Sequence, residues 1–299
     1  MICQFKNTLG VPFFILFLIL SILPSGASGA VSLLPSSAFD LSPRFFNNSE
    51  HVVLIHGEIR PGDYDRFVAS LRAWRSSHPE GLHIPSVVLA SPGGDVREAM
   101  RIGRTVRELS LQVLVPSRVP FRDGDPESRV EGWPTPENFC HSSCFLIYIA
   151  GVDRKSQALL TMRESTFEEV FAAPTPIGIH RPYFNPTFFA GLDSAEARVA
   201  YGKMEAEVRD YLRYMGLSER WVETVFRIPS TTVRRLTWDD VREIGERESS
   251  WDEWLRATCD GFSDLLTVFI ENREAERCIV RTVAQERVRL VEGFLETER

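Results

Sequence analysis

The sequence predicts an α/β domain built on a largely parallel sheet, and three observations predict it. Apolar runs of strand length at residues 52–55, 87–90 and 111–115 alternate at short spacing with segments of helical periodicity. That alternation is the βαβ order, in which helices cover the sheet and ligands gather where strands end and helices begin. A composition of 43% hydrophobic and 25% charged residues over 299 positions is that of an ordinary globular protein with a full-sized core. The expected organisation is a signal segment over 1–29, a linker over 30–50, one α/β domain over 51–248 and a helical hairpin extension over 249–299.

Residues 11–23 are an uncharged apolar run, preceded by Lys6 and followed by Pro24 and the small-residue stretch 25–30. This is the order of a secretory signal, with Ala27 and Gly29 suited to the two small positions before a cut at Ala30. The competing reading is an uncleaved anchor over 11–23, although a span needs about 20 apolar residues. Export places the protein in the periplasm or outside the cell. Cys3 then leaves with the signal, and the four remaining cysteines are disulfide candidates in an oxidising compartment. Cys259 with Cys278 is one expected pair; Cys140 and Cys144 are either joined or both free. A metal at Cys140, His141 and Cys144 lacks a fourth ligand, so no metal is expected there.

The strand at 52–55 ends at Gly57 and the Pro61-Gly62 turn, after which Asp63 is placed to cap a helix carrying Phe67, Leu71 and Trp74 on one face. The run 87–90 leads into Ser91-Pro92-Gly93-Gly94-Asp95, and the next helix carries Val96, Ala99, Met100, Gly103 and Val106, with Asp95 as its cap. A third strand covers 111–115. Residues 116–138 and 163–176 read as two long loops, of the kind that serve as lids or binding loops. Between them Cys140-His141-Ser142-Ser143-Cys144 opens a wholly apolar helix, and after them comes Ile177-Gly178-Ile179-His180-Arg181-Pro182. Asp193 with Glu196 makes a capping box for a helix stopped by Gly216, residues 236–245 form a short capped helix, and the tail is a pair of amphipathic helices bearing Cys259 and Cys278.

A serine attacks a carbonyl when a base takes its proton and donors await the oxyanion, and strand-to-helix turns supply both. The Gly93-Gly94 turn lets backbone approach a ligand with N–H groups forward. The Ser142-Ser143 turn opens a helix whose first N–H groups favour an anion. His180, at the end of an apolar strand, is a natural base. His141, beside the nucleophile, is expected to be structural; Arg181 is a surface or carboxylate-binding residue; the Asn47-Asn48-Ser49 sequon matters only in a glycosylating host. A net charge of −7 with no Lys/Arg-rich run excludes a nucleic-acid partner.

From residue 51 to about residue 245 these segments resemble the Clp protease catalytic subunit family and its wider Clp/crotonase relatives. The resemblance implies stacked ββα units with the helical C-terminal extension outside them. It also implies Ser143 as nucleophile, His180 as base, and the backbone N–H groups of Gly93, Gly94 and Cys144 as the oxyanion hole. It implies a peptide or protein substrate, no cofactor and a homo-oligomer; no motif for an ATPase partner is present. The chain departs from the family at residues 230–235, where the acid that orients the base is missing. A Ser–His dyad is then expected, or Asp239, Asp193 or Thr232 takes the acid's place. Lys155 and Lys203 sit at no motif that would make either a lysine base. The alternatives to a peptidase are a catalytically inactive binding or assembly module of the same fold, and an acyl-thioester enzyme of the crotonase kind.

Overall fold

The computed structural model describes residues 30–39, 49–116, 138–156, 174–183, 191–245, 248–259 and 273–298. The signal segment, residues 117–137 and 163–173 of the two long loops and Asn47-Asn48 of the sequon lie outside the described residues; residues 174–176, read as the end of the second loop, instead begin a strand. Among these residues eight strands form one mixed sheet, accompanied by eight α-helices. The strands are β1 (Ala30–Pro35), β2 (His51–Ile59), β3 (Ser86–Gly94), β4 (Gln112–Val115), β5 (Cys140–His141), β6 (Asp153–Ser156), β7 (Pro174–Ile179) and β8 (Arg234–Thr237). The helices are α1 (Asp63–Ser77), α2 (Val96–Glu108), α3 (Cys144–Ala150), α4 (Ser194–Tyr214), α5 (Glu219–Arg227), α6 (Trp238–Ile244), α7 (Ser249–Thr258) and α8 (Arg273–Thr297).

The path through the sheet is β1-β2-β3-β5-β7-β8, with β4 branching from β3 and β6 from β4. The inner pairings are parallel, and the edge strands β1 and β8 run antiparallel to their neighbours. The α/β expectation therefore holds. The linker expectation does not hold over 30–35, because these residues pair with β2 from Ala30 opposite His56 to Pro35 opposite His51. The segment is apolar and packs on both faces, Val31 and Leu33 against the main core and Leu34 against the opposite cluster.

Side chains alternate across the strands as the pleat requires. Val53, Ile55, Val87, Leu89, Val113 and Val115 face the helices and join the main core with Phe67, Leu71, Trp74, Phe145 and Tyr148. Val52, Leu54, Val88, Ala90 and Leu114 face the other way and are covered by Phe39. The apolar helix α3 is buried along its whole length. Its C-terminal carbonyls, which no helix can satisfy internally, receive the Arg107 guanidinium at Ala150 O (2.8 Å) and Ile149 O (3.1 Å). Tyr211 Oη donates to Leu146 O at 2.8 Å, and Gly103 leaves it room: a β-carbon there would stand 1.9 Å from that hydroxyl.

The caps at Asp95, at Asp193 with Glu196, and at Thr237 with Asp240 form as expected. Asp63 does not cap α1. Gly62 holds that position with φ +93°, and buried Glu98 reaches across from α2 to accept from the N–H groups of Gly62 and Tyr64, each at 2.8 Å. A carboxylate at a helix start serves equally well from a distant element, and sequence spacing does not reveal it. Cys259 is joined to Cys278, stapling α7 to α8. Trp251, Leu255 and Ile279 pack with Val152 around that staple. The far end of α8 is not an appendage: Val291 is fully buried in the main core. Arg72 donates to Glu298 O at 2.6 Å, and Arg75 pairs with Glu292. No helix among the described residues is long and apolar enough to cross a membrane.

Candidate active site

The three motifs sit at the carboxyl ends of three neighbouring parallel strands. Ser91 on β3 pairs with Cys140 on β5, and Cys140 and His141 pair with Ile177 and Gly178 on β7. Past these pairs come Gly93 and Gly94, which end β3 opposite Glu58 and Ile59 of β2, the Ser142-Ser143 turn after β5, and His180 after β7. This is the crevice outside the strand ends where open α/β sheets bind ligands. Asn138 aligns the short strand β5 before it pairs: its side-chain amide donates to Leu89 O and Pro116 O, both at 2.9 Å, and its oxygen accepts from Phe139 N.

The first two turns are in direct contact. A β-carbon on Gly93 would stand 2.6 Å from Ser142 Cβ, 2.8 Å from His141 O and 3.0 Å from Ser143 N. Gly93 and Gly94 have φ of +100° and +144°, a region that only glycine visits without strain, and Gly94 also lies against the Ile59 backbone. Ser142 adopts φ +58°, rare for a residue with a β-carbon. Its N–H donates to Gly178 O at 3.1 Å, and the Cys140–Cys144 disulfide, with a Cα–Cα distance of 5.3 Å, brackets it. The open alternative at these cysteines is thus settled as a bond. Such strain persists only where surrounding structure over-determines it, and it concentrates at functional sites. The strained residue delivers Ser143 to the first turn of α3, with Cys144 as the first helical residue.

Ser143 and His180 line one small cleft, together with Ser142, Val96, Phe145 and Pro182. Both are buried, at 3% and 8% exposure. Ser143 Oγ is out of contact with solvent and makes no hydrogen bond, so the hydroxyl and the imidazole share a space without being joined. His180 Nδ1 lies 2.9 Å from Arg181 O. A carbonyl oxygen can only accept, so Nδ1 carries the proton and Nε2 keeps its lone pair. The orienting group is therefore main chain. Arg181 N donates to Ile228 O at 3.0 Å, which fixes this peptide against the end of α5.

The side chains considered as substitutes for the missing acid are engaged elsewhere. Asp193 accepts from Ala195 N and Glu196 N, Asp239 lies against Arg242, and Thr232 Oγ1 donates to Pro229 O. Lys155 pairs with Asp153 on β6. Gly93 N–H, expected in the oxyanion hole, donates to Ser91 Oγ at 3.0 Å. Ser91 escaped notice in the sequence because a serine before Pro-Gly-Gly reads simply as part of the turn. Cys144 N–H, at the start of α3, has no partner within the helix by position.

His141 lies closer to the site than its expected structural role suggests. Its ring lies against Gly178, where a β-carbon would stand 2.5 Å from Cδ2, and its buried Nε2 has no hydrogen-bond partner. Burial first, then the charges of Arg235 and His180, hold its pKa down at about 4. It is a neutral imidazole at ordinary pH. Both disulfides are bonds that persist in oxidising compartments. The chain matches no protein-family model, and no curated protein matches it.

Proposed function

We propose that the protein is an exported serine peptidase-like hydrolase of the Clp/crotonase type, acting on a peptide or acyl bond through Ser143 and His180. The observation that carries this reading is the convergence of three strand ends: the Gly93 turn touches the Ser142-Ser143 turn, and Ser143 and His180 line one cleft. His180 Nε2 takes the Ser143 proton as Oγ bonds to the acyl carbon, and the carbonyl electron pair moves onto oxygen. Cys144 N–H and the Gly93-Gly94 turn face that oxygen; Gly93 contributes once Ser91 Oγ releases its N–H. Collapse of the intermediate expels the leaving group, which takes the proton from His180 and leaves an ester on Ser143. Water, deprotonated in turn by His180, frees the acid and restores the hydroxyl. The Arg181 carbonyl does the work of the absent acid in fixing the tautomer, though it supplies no negative charge to the imidazolium.

Hydrogen bonds of this kind are often long before substrate arrives, and turning the Ser143 side chain about χ1 suffices to redirect its hydroxyl. Export is supported by the apolar run at 11–23 and by the two disulfides. Assembly into a homo-oligomer rests on the family resemblance. A fluorophosphonate probe tests the proposal: wild type is labelled, and Ser143→Ala is not. An unlabelled, folded wild type overturns it.

A second reading is a catalytically inactive binding or assembly module of the same fold. It is favoured by the unjoined Ser143 hydroxyl and by the Gly93 N–H bound to Ser91. It expects no labelling of wild type and partner binding that survives Ser143→Ala.

A further inference from the structure

We propose that Glu50, His51 and His78 form a binding site for a divalent transition-metal ion of the zinc class, at the end of the sheet opposite Ser143. His51 is the first residue of β2, whereas the candidate active site lies at the carboxyl ends of β3, β5 and β7. One ring nitrogen from each histidine and a carboxylate oxygen of Glu50 all lie within 4.8 Å of one another. Zinc ligands sit about 2.0–2.2 Å from the ion, so the three atoms need to draw together by about an ångström, a movement within the reach of the exposed Glu50 side chain.

The protein already prepares the donors. His78 Nδ1 is 3.1 Å from Trp74 O, which can only accept, so Nδ1 is the protonated nitrogen and Nε2 keeps a lone pair for a metal. A backbone carbonyl on the far nitrogen is the usual partner of a metal-binding histidine, and it sets both tautomer and ring orientation. Ser77 Oγ at 2.8 Å and the stacked Trp74 ring hold the imidazole in place. On the other side, Ser49 Oγ donates to His51 O at 2.8 Å and Ser36 N donates to Glu50 O at 2.7 Å, which fixes the backbone that presents both residues. The two rings meet edge to face with centroids 4.6 Å apart.

The second, independent observation is that His51 Nδ1 is buried without a hydrogen-bond partner. A buried polar atom left unpaired is costly, and a metal ion bound at Nδ1 would satisfy it. Two imidazoles and one carboxylate suit zinc, cobalt or nickel; calcium and magnesium prefer all-oxygen shells. Three protein ligands leave a position for water, and the ion would tie the C-terminal end of α1 to the start of β2.

The test is titration of cobalt(II) and zinc into the EDTA-stripped full chain. About one ion per chain is expected, with a cobalt d–d band of low coordination number. Zinc at one hundred times its Kd should raise Tm by about 5–10 °C. E50Q and H78Q should lose most of the band and the shift while keeping their Tm in EDTA, and H51Q should do the same; if H51Q fails to fold, the first two decide. H141Q and H180Q should bind as wild type does. Cobalt that keeps its hexaaquo spectrum, or H78Q and E50Q binding as tightly as wild type, overturns the site.

Discussion

Gly93 lies so close to Ser142 that a β-carbon at position 93 would fall 2.6 Å from the one at 142. The glycine segment at 93 and the serine turn at 142–143, about fifty residues apart in sequence, are thus packed to the limit of contact, and the obstructing atoms include main chain at His141 and Ser143 that cannot swing aside. Gly93→Ala should therefore cost about 2–4 kcal/mol of stability and shift the Ser143 turn. Gly62→Ala is the control: its φ of +93° is equally unfavourable, but nothing lies within 4 Å of the new methyl, so about 1–2 kcal/mol is expected. Urea denaturation of the two variants measures the difference; equal losses would show that contact with Ser142 adds nothing.

The Cys259–Cys278 bond closes a segment spanning 19 positions. In the chain-entropy picture, its loss by paired Ser substitution should cost about 3 kcal/mol. The damage should start locally, because the staple sits in a cluster of its own around Trp251, Leu255 and Ile279. Limited proteolysis should cut the doubly substituted chain between α7 and α8 while the sheet stays resistant. Unchanged cleavage kinetics in both forms would contradict this.

His141 makes stability depend on pH. The free ring titrates near 6.5, and the folded protein holds it at about 4, chiefly by burial. Between those values the unfolded chain binds a proton that the native state refuses, so stability rises with pH across this window and is lost as pH falls through it. Below about pH 4 both states are protonated and this group adds no further change. After allowance for solvent at a half-buried ring, the effect is about 2 kcal/mol. His56 and His51, also held down by burial, act in the same direction. Unfolding free energies at pH 7 and pH 4.5 should therefore converge in His141→Gln relative to wild type; an unaltered gap would show that the ring is not the source.

What the sequence revealed follows from where the physics is local. Residues 52–55 and 87–90 are buried on both faces, so their strands read as continuous apolar runs. Asp-Arg-Lys-Ser at β6 and Arg-Arg-Leu-Thr at β8 form strands with hardly an apolar residue, because they lie at the ends of the sheet and are held by pairing with β4 and β7. The reach of α8 into the main core and the capping of α1 by Glu98 depend on residues far apart in the chain, which no local pattern encodes. The same holds at the site. Ser143, His180 and the glycine turn were legible as motifs, whereas the group that orients His180 is a carbonyl, common to every residue type and invisible in a one-letter code.

That carbonyl leads to the sharpest test of the mechanism. If Arg181 O fixes the His180 tautomer, any residue at 181 supplies it, and Arg181→Ala should be labelled by the fluorophosphonate within a factor of a few of wild type. His180→Gln, which retains a hydrogen-bonding group but has no titratable nitrogen, should lose about 10²–10⁴-fold in labelling rate, the usual contribution of a general base. Asp239→Asn and Asp193→Asn should leave the rate unchanged, since Asp239 is 65% exposed beside Arg242 and Asp193 is committed to the first turn of α4. A tenfold or greater loss in either Asn variant, with the fold intact, would mean that a carboxylate swings in to complete a triad and that the resting contact between His180 and Arg181 is broken during the reaction. A rate independent of His180 would leave Ser143 without its base.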